Sequence, residues 1–311
     1  MIAPKTDRAL SETAAARPPR VSVGMPAYNA VRYLEAAIKS ILGQSLTDLE
    51  LIIQDNASTD NTVEMCQAIA ARDPRVRVIR NPRNFGVNPN YRLAAENARG
   101  QYFKWHSAND LLDKDYLARC AETLDRRPDV VLAFGRTVLF QTDTESGTPY
   151  DDNMNMEEDD PLVRFHRSIA ELRLNNMING LIRRDVLMRT SVHADYYSSD
   201  NVVFSELALA GKIVLVPETR FYRRMDKHSA TRLQSATTVR LAHYPTDRFA
   251  SFFQTWQLQS GYFAAITNSS LPFSERMRGW RYVMRQAYWA TPRLFADFKE
   301  AVRFYTLRRR P

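Results

Sequence analysis

The sequence predicts an α/β fold: a mostly parallel sheet with helices on its faces, followed by a helical C-terminal extension. Three observations carry this. Over the first 140 residues, short β-branched or aromatic runs bounded by polar turn residues alternate with stretches of helical spacing. Alternating strand and helix gives right-handed crossover units, and these make parallel neighbours. From about residue 233 the pattern becomes continuously helical and rich in aromatics and arginine.

The elements follow in order. Residues 21–25, 49–53, 76–79, 102–105 and 130–134 read as strands, each too short and too β-branched or aromatic for an independent helix. Leu34, Ile38, Ile41 and Leu42 form one helical stripe, and Val63, Cys66, Ile69 and Ala70 form another. Asn88-Pro89 reads as a helix N-cap followed by proline at the first helical position, and Ser58 or Asp60 can cap the helix before it. Residues 141–160 hold eight acids and no lysine or arginine, which reads as a solvated loop or as a mobile flap beside an acceptor site. Residues 164–180 and 202–210 read as helices; Gly211 stops the second, and 213–216 form another strand. The expected divisions are a flexible lead-in over 1–19, a catalytic domain over 20–232 and the extension over 233–311.

Composition narrows the class. The chain has 311 residues, 44% hydrophobic and 25% charged, an ordinary globular mixture that excludes collagen-like, disordered and disulfide-scaffold proteins. The longest purely apolar run is 130–134, far short of the roughly 20 residues of a spanning helix. The first twenty residues have no apolar core and do not read as a secretory signal. Two cysteines make neither a disulfide framework nor a Cys-based metal site, so a reducing cytoplasm is the default compartment. The net charge of +8 suits an anionic partner.

Ligands of parallel α/β sheets sit beyond the carboxyl ends of the strands. Those ends carry Pro26-Ala27-Tyr28-Asn29, Asp55 to Asp60, Asn81 to Gly86, and His106-Ser107-Ala108-Asn109-Asp110. A carboxylate such as Asp55 can accept the N–H of a pyrimidine base, although turn and cap roles explain the same residues. No G-x-G-x-x-G follows the first strand, which disfavours a dinucleotide-dependent dehydrogenase.

Taken together and in order, VSVGMPAYN, SILGQ, DNASTD, RNPRNFGVNPNY, SANDLLDKDYL and SSDNVVFSELALAG resemble family 2 glycosyltransferases, the GT-A-type nucleotide-sugar enzymes. The resemblance covers roughly residues 20–229. It implies an inverting transfer of sugar from a nucleoside-diphosphate donor, with UDP- or TDP-sugar favoured, to a glycan or lipid-linked hydroxyl in bacterial polysaccharide or glycoconjugate assembly. Pro26, Ala27, Tyr28 and Asn29 would floor the nucleoside, Asp55 would meet the base with Asn56 and Ser58 nearby, and Asn84 and Gly86 would lie beside ribose and diphosphate. Asp200, eleven residues before Gly211, would be the catalytic base; a helix N-cap is the alternative. Glu206 reads as a supporting carboxylate. The family's usual paired acids are reduced here to Asn109-Asp110. A Mn²⁺ or Mg²⁺ ion on Asp110 and Asn109, with His228 as a late contact, is then ordinary, weakened or dispensed with. Arg223, Arg224 or Lys104 could hold the leaving diphosphate instead or as well. Trp105 and Trp256 are candidates for stacking on a sugar ring, core packing being the commoner role.

Residues 276–311 carry ten Arg or Lys against Asp297 and Glu300, with Met277, Trp280, Met284 and Tyr288 at helical spacing. This suits a helix packed on the catalytic domain with its charges in water, or one lying on an anionic membrane at the inner face. No nucleic-acid-binding signature is present, so no nucleic-acid partner is expected. Two other readings stay open: a non-catalytic nucleotide-sugar-binding relative with a degenerate metal motif, and an interaction protein using the basic tail.

Overall fold

The computed structural model describes residues 17–225 and 252–307. The lead-in up to residue 16, His228, the expected domain junction at 232–233 and the first part of the extension lie outside the described residues.

A nine-stranded sheet organises the chain. Its parallel half is built around β1 (Val21–Ala27), which lies between β2 (Leu49–Asp55) and β4 (Tyr102–Trp105), with β3 (Val76–Arg80) at the edge. The second half is mixed. β5 (Leu111–Leu112) pairs antiparallel with β9 (Lys212–Arg224), which runs parallel to β6 (Val130–Phe140). β7 (Thr148–Pro149) pairs antiparallel with β6, and β8 (Leu181–Arg183) runs antiparallel between β4 and β6. The periodicity of 130–134 and 213–216 marks only the buried starts of β6 and β9. Beyond Gly135 these strands alternate or expose residues, so their apolar signal fades while the ladder continues.

The predicted helical stripe is the buried face of α1 (Val31–Leu42), where Leu34, Ala37, Ile38 and Ile41 are sealed against the sheet and Leu42 is only partly covered. α2 (Thr62–Ala70) buries Val63 and Cys66. Asp60 does not cap it as a true N-cap; that position is Asn61, and the Asp60 carboxylate accepts the Thr62 N–H at 3.0 Å. α3 (Val87–Glu96) also differs from the sequence reading. It begins behind Gly86, with φ 95° and ψ 174°, a region essentially closed to other residues, so Asn88 and Pro89 lie inside its first turn. A glycine is likewise required at Gly24, where a Cβ would lie 2.8 Å from the Phe103 ring.

α4 (Tyr116–Arg126) covers β6 and β9. The acidic segment is not a free loop: Met154 and Met156 are fully buried, and Met156 pairs with Ile213. α5 (Pro161–Ala170) is capped by the Asp160 carboxylate, and a 3₁₀ turn (Met177–Asn179) and the short α6 (Arg184–Leu187) flank β8. α7 (Ser199–Ala210) leads into β9. The extension supplies α8 (Gln254–Thr267), α9 (Phe273–Trp289) and α10 (Thr291–Leu307). Tyr262, Ala265 and Ile266 of α8 and Val283 of α9 share one buried cluster with Leu162, Phe165 and Val202 of α5 and α7. The extension is therefore cored together with the sheet domain. No helix among the described residues is long and apolar enough to cross a membrane.

Candidate active site

The register of β1 and β2 sets Ala27 beside Asp55, so both strands deliver their tails to the same edge of the sheet. There Pro26 and Ala27 are buried, while Tyr28 stands half exposed. Asn29, at φ 49°, turns its amide oxygen to the Thr59 N–H at 2.9 Å, and its own N–H donates to Ser58 Oγ at 3.0 Å. Asp55 is fully buried; its carboxylate accepts the Ser58 N–H at 3.1 Å and has Arg80 at 3.6 Å. The Asp55-to-Asp60 turn and the Tyr28-Asn29 tail thus lock each other.

Beside them lies a chain of amides. Asn56 Nδ2 donates to Asn84 Oδ1 at 2.8 Å and to the Gly86 carbonyl at 3.0 Å, while its Oδ1 accepts from Asn81 and from the Phe85 N–H. Asn81 also donates to Asn90, and Asn90 donates to the Gln54 carbonyl. Every member is neutral, so the network fixes the loop without adding charge beside the cleft. Asn81 and Asn90 were not singled out by sequence. The run of asparagines from 81 to 90 was the available signal, but asparagine is also the ordinary residue of turns.

The second part of the site is charged. Pairing of Leu111 with Tyr222 brings the end of β9 onto the Asn109-Asp110 turn. Asp110 is buried, its Oδ1 accepts the Arg224 N–H at 2.8 Å, and burial pushes its pKa up to about 6. Arg223 donates to Asn176 Oδ1, and its positive charge opposes the upward shift of both Asp110 and Asp200. Asn176 in turn donates to Asp152 Oδ1 at 3.0 Å, which makes the acidic segment part of the support. Tyr91 of α3 lies 3.4 Å from Ser107; burial raises its pKa, and the charges of Asp110 and Asp200 add to that.

Asp200 stands in the first turn of α7 behind Ser198, the residue in the N-cap position. It is partly buried and accepts from Asn175 Nδ2 at 3.1 Å. Burial raises its pKa, against the helix-start N–H groups and Arg223, which lower it. Glu206 is elsewhere on α7, holding Ser191 through its N–H and hydroxyl at 2.8 Å.

Two sequence expectations are corrected, for Lys104 and Arg224. Lys104 has no exposed surface: its ammonium donates to the Asn179 carbonyl and lies 5.0 Å from the Tyr116 and Phe221 rings, and burial lowers its pKa to about 7. It cannot touch a ligand in the cleft. Arg224 is spent on structure, donating to the Asn109 and Gln141 carbonyls and stacking on Tyr33 and Phe140. Trp105 is fully buried and donates to the Tyr91 carbonyl, the packing role that the sequence favoured over sugar stacking; Trp256 is half exposed and donates to the Leu294 carbonyl. His228 lies outside the described residues.

Among the described residues no three His, Cys, Asp or Glu side chains converge as a metal cage. Asp110 offers one carboxylate and Asn109 one neutral amide oxygen. This pair fits a hard divalent cation only as the counter-ion of a bound diphosphate, whose oxygens and water would complete the ligand set.

Comparisons with known proteins agree with this geometry. The chain is 36% identical over 129 residues to the chondroitin synthase of Escherichia coli, covering 42% of this chain and 18% of that protein. It is 34% identical over 133 residues to the putative teichuronic acid biosynthesis glycosyltransferase TuaG of Bacillus subtilis, covering 43% of this chain and 51% of that one. The chain thus spans a fifth to a half of the length of these relatives. Among solved structures, Staphylococcus aureus TarS 1-349 in complex with UDP-GlcNAc aligns with a TM-score of 0.65 at 14% identity, over 91% of this chain and 80% of that one. The mannosyltransferase PcManGT of Pyrobaculum calidifontis, in complex with GDP-Man and Mn²⁺, aligns at 0.57 and 18% identity, over 92% and 76%. At such identity these structures establish a shared GT-A fold. The family model for glycosyl transferase family 2 matches residues 22–187, more than half of the sequence, and the chain belongs to that family.

Proposed function

We propose that the protein is an inverting glycosyltransferase that moves a sugar from a nucleoside-diphosphate donor to a hydroxyl acceptor in bacterial polysaccharide or glycoconjugate assembly. The single observation that carries this is the convergence of Asp200, Arg223 and Asp110 beyond the strand ends that hold the Asp55 turn. The chondroitin synthase and teichuronic acid glycosyltransferase to which the chain is similar suggest the setting. A UDP- or TDP-sugar is the favoured donor, its base over the Pro26-to-Asn29 floor at the turn that the buried Asp55 carboxylate holds through the Ser58 N–H, with Asn56 and Ser58 nearby and Asn84 and Gly86 beside ribose and diphosphate.

In this reading the acceptor oxygen attacks C1 of the sugar and gives its proton to the Asp200 carboxylate. The new O–C1 bond forms on the face opposite the bond that breaks, whose electron pair leaves with the diphosphate. One displacement inverts C1, and no covalent enzyme intermediate is required. A base must be ionised yet basic enough to take the proton, and the raised pKa of Asp200 serves both needs. Arg223 is the cation of this chain best placed to balance the departing charge. A Mn²⁺ or Mg²⁺ ion carried with the donor on Asp110 and Asn109 would add to that neutralisation.

The test is transfer from a panel of UDP-, TDP-, CDP- and GDP-sugars, with calorimetry of each diphosphate in Mn²⁺ and in EDTA. One nucleotide should bind, and Asp200→Asn should keep that binding while lowering turnover by about 10²–10⁴-fold. Full activity in Asp200→Asn would overturn the base assignment, and no nucleotide binding by folded protein would overturn the donor site.

A peripheral membrane location, on the cytoplasmic side, is supported by one observation. Of the α9 stripe, Met277, Met284 and Tyr288 are exposed, whereas Trp280 is partly buried against the core of the extension; Phe273 is exposed as well, and Gly279 and Val283 face the core. Phe295, Phe298 and Val302 of α10 are also exposed, with Arg281, Lys299 and Arg303 exposed on the same two helices. Exposed aromatics interleaved with cations suit an anionic bilayer surface. The buried free thiols Cys66 and Cys120, both pushed up to about 12, suit a reducing compartment.

A further inference from the structure

A cavity adjoins Asp200 from the side of the extension, its wall including Ser198 and Asn201. It encloses about 510 Å³ between α5, the start of α7, α8 and the end of α9, a size suited to one or two sugar rings. Most of its wall lies beyond residue 187, outside the part of the chain matched by the family model, with Ser168, Ile169 and Leu172 inside it.

The cavity is coupled to the proposed base. Asn201, on its wall, follows Asp200, and Asn175 Nδ2 joins the two by donating to Asp200 Oδ2 at 3.1 Å and Asn201 Oδ1 at 3.2 Å. Tyr262 of α8 lines the cavity; burial raises its phenol pKa, and the nearby Asp200 charge adds to that. On its other side Asp200 feels Arg223. The carboxylate therefore stands between the nucleotide cleft and this cavity, where a base must stand to take a proton from an acceptor.

The lining chemistry specifies the guest. Gln259 and Gln286 present amides, and Gln259 Oε1 is buried without a hydrogen-bond partner among the described residues. Amides of this kind accept and donate to the hydroxyls of a sugar, and an orphaned buried oxygen gains a partner when one enters. Trp289, 72% exposed at the rim, offers an indole face for the C–H face of a pyranose. The lining residues include no acid and one cation, Arg293. The Trp289 ring meets Tyr288 edge-on at 5.7 Å, so the rim of the cavity adjoins the outward face of α9.

We propose that this cavity is the acceptor site and that the acceptor is an anionic saccharide, stacked on Trp289 and paired through its carboxylate with Arg293. The proposal rests on the glycosyltransferase reading and adds to it the place and charge of the acceptor.

The test uses the full chain, a tetrasaccharide of alternating glucuronate and N-acetylhexosamine, and its carboxyl-reduced counterpart, with binding followed by saturation-transfer NMR. Wild type should prefer the charged form. Trp289→Ala should weaken both forms by about tenfold, and Arg293→Gln should weaken only the charged form, by about tenfold, erasing the preference. UDP binding should be unchanged in both variants, which also shows that they are folded. Failure of wild type to bind the charged form while it binds UDP would overturn the proposal and leave the transferase reading standing. Binding unaffected by both substitutions would do the same. Loss of all nucleotide binding by folded wild type would instead overturn the transferase reading itself, and the acceptor role with it.

Discussion

At the scale of single residues, the environment of each ionisable group sets what it can do. Asp200 is lifted by burial and held down by Arg223. The acid limb of the kcat/KM profile should therefore lie above the ordinary aspartate value of about 3.9. Arg223→Gln removes the cation that favours the ionised form, so the limb should move to higher pH while maximal activity falls; an unmoved limb would separate Arg223 from Asp200. Lys104 makes the opposite case. Its folded value of about 7 lies below the ordinary 10.5. Between those pH values the unfolded chain holds one more proton, so this group makes stability rise with pH by about 1.4 kcal/mol per unit. Lys104→Met should be more stable than wild type near pH 7, and the gap in urea melts should narrow steadily towards pH 10. A constant gap would show that the ammonium is not buried as described.

At the scale of elements, the strand-end loops are held by backbone geometry and neutral amides. The start of α3 depends on Gly86, whose φ of 95° excludes side chains, and on Asn56, which reaches both Asn84 and the Gly86 carbonyl. Gly86→Ala should cost about 1–3 kcal/mol in chemical denaturation and raise the donor KM more than it lowers kcat. An unchanged KM would remove this loop from the donor site. The acidic segment follows the same logic. Its eight acids suggested a loop in water, but Met154 and Met156 seal it to the core and Asp152 accepts the Thr137 N–H at 2.7 Å. Charge density at sequence level hid two apolar anchors only two residues apart.

At the scale of the whole molecule, the extension does two things. Its inner face cores against α5 and α7, and its outer face leaves aromatics and arginines in water. Met284→Glu combined with Tyr288→Glu should leave the thermal midpoint unchanged, because both side chains are exposed, and should abolish co-sedimentation with phosphatidylglycerol vesicles. Wild type should not sediment with phosphatidylcholine vesicles. Equal sedimentation of wild type and variant on the anionic vesicles would overturn the membrane-face reading.

Local rules reach as far as the parallel strands β1 to β4 and the helix α1. Periodicity and turn chemistry are properties of neighbouring residues, and Leu34, Ile38 and Ile41 show their buried face without any tertiary information. The ordered motifs also place Asp55, Asp110 and Asp200, because those residues sit at strand ends or helix starts that the chain itself marks. What local rules cannot reach are contacts between segments far apart in the chain. Lys104 and Arg223 are both cations beside the motifs, yet one is sealed beneath Tyr116 and Phe221 while the other lies among the carboxylates. The antiparallel β5–β9 pairing decides that Arg224 closes on Asn109 and Asp110. Likewise, only packing turns Met277, Met284 and Tyr288 of the α9 stripe outward and Trp280 inward, because Gly279 admits the Ile266 side chain on the other side of the helix. Sequence carries the hydrophobic period; which of two available faces is buried depends on the surface that folding brings to meet it.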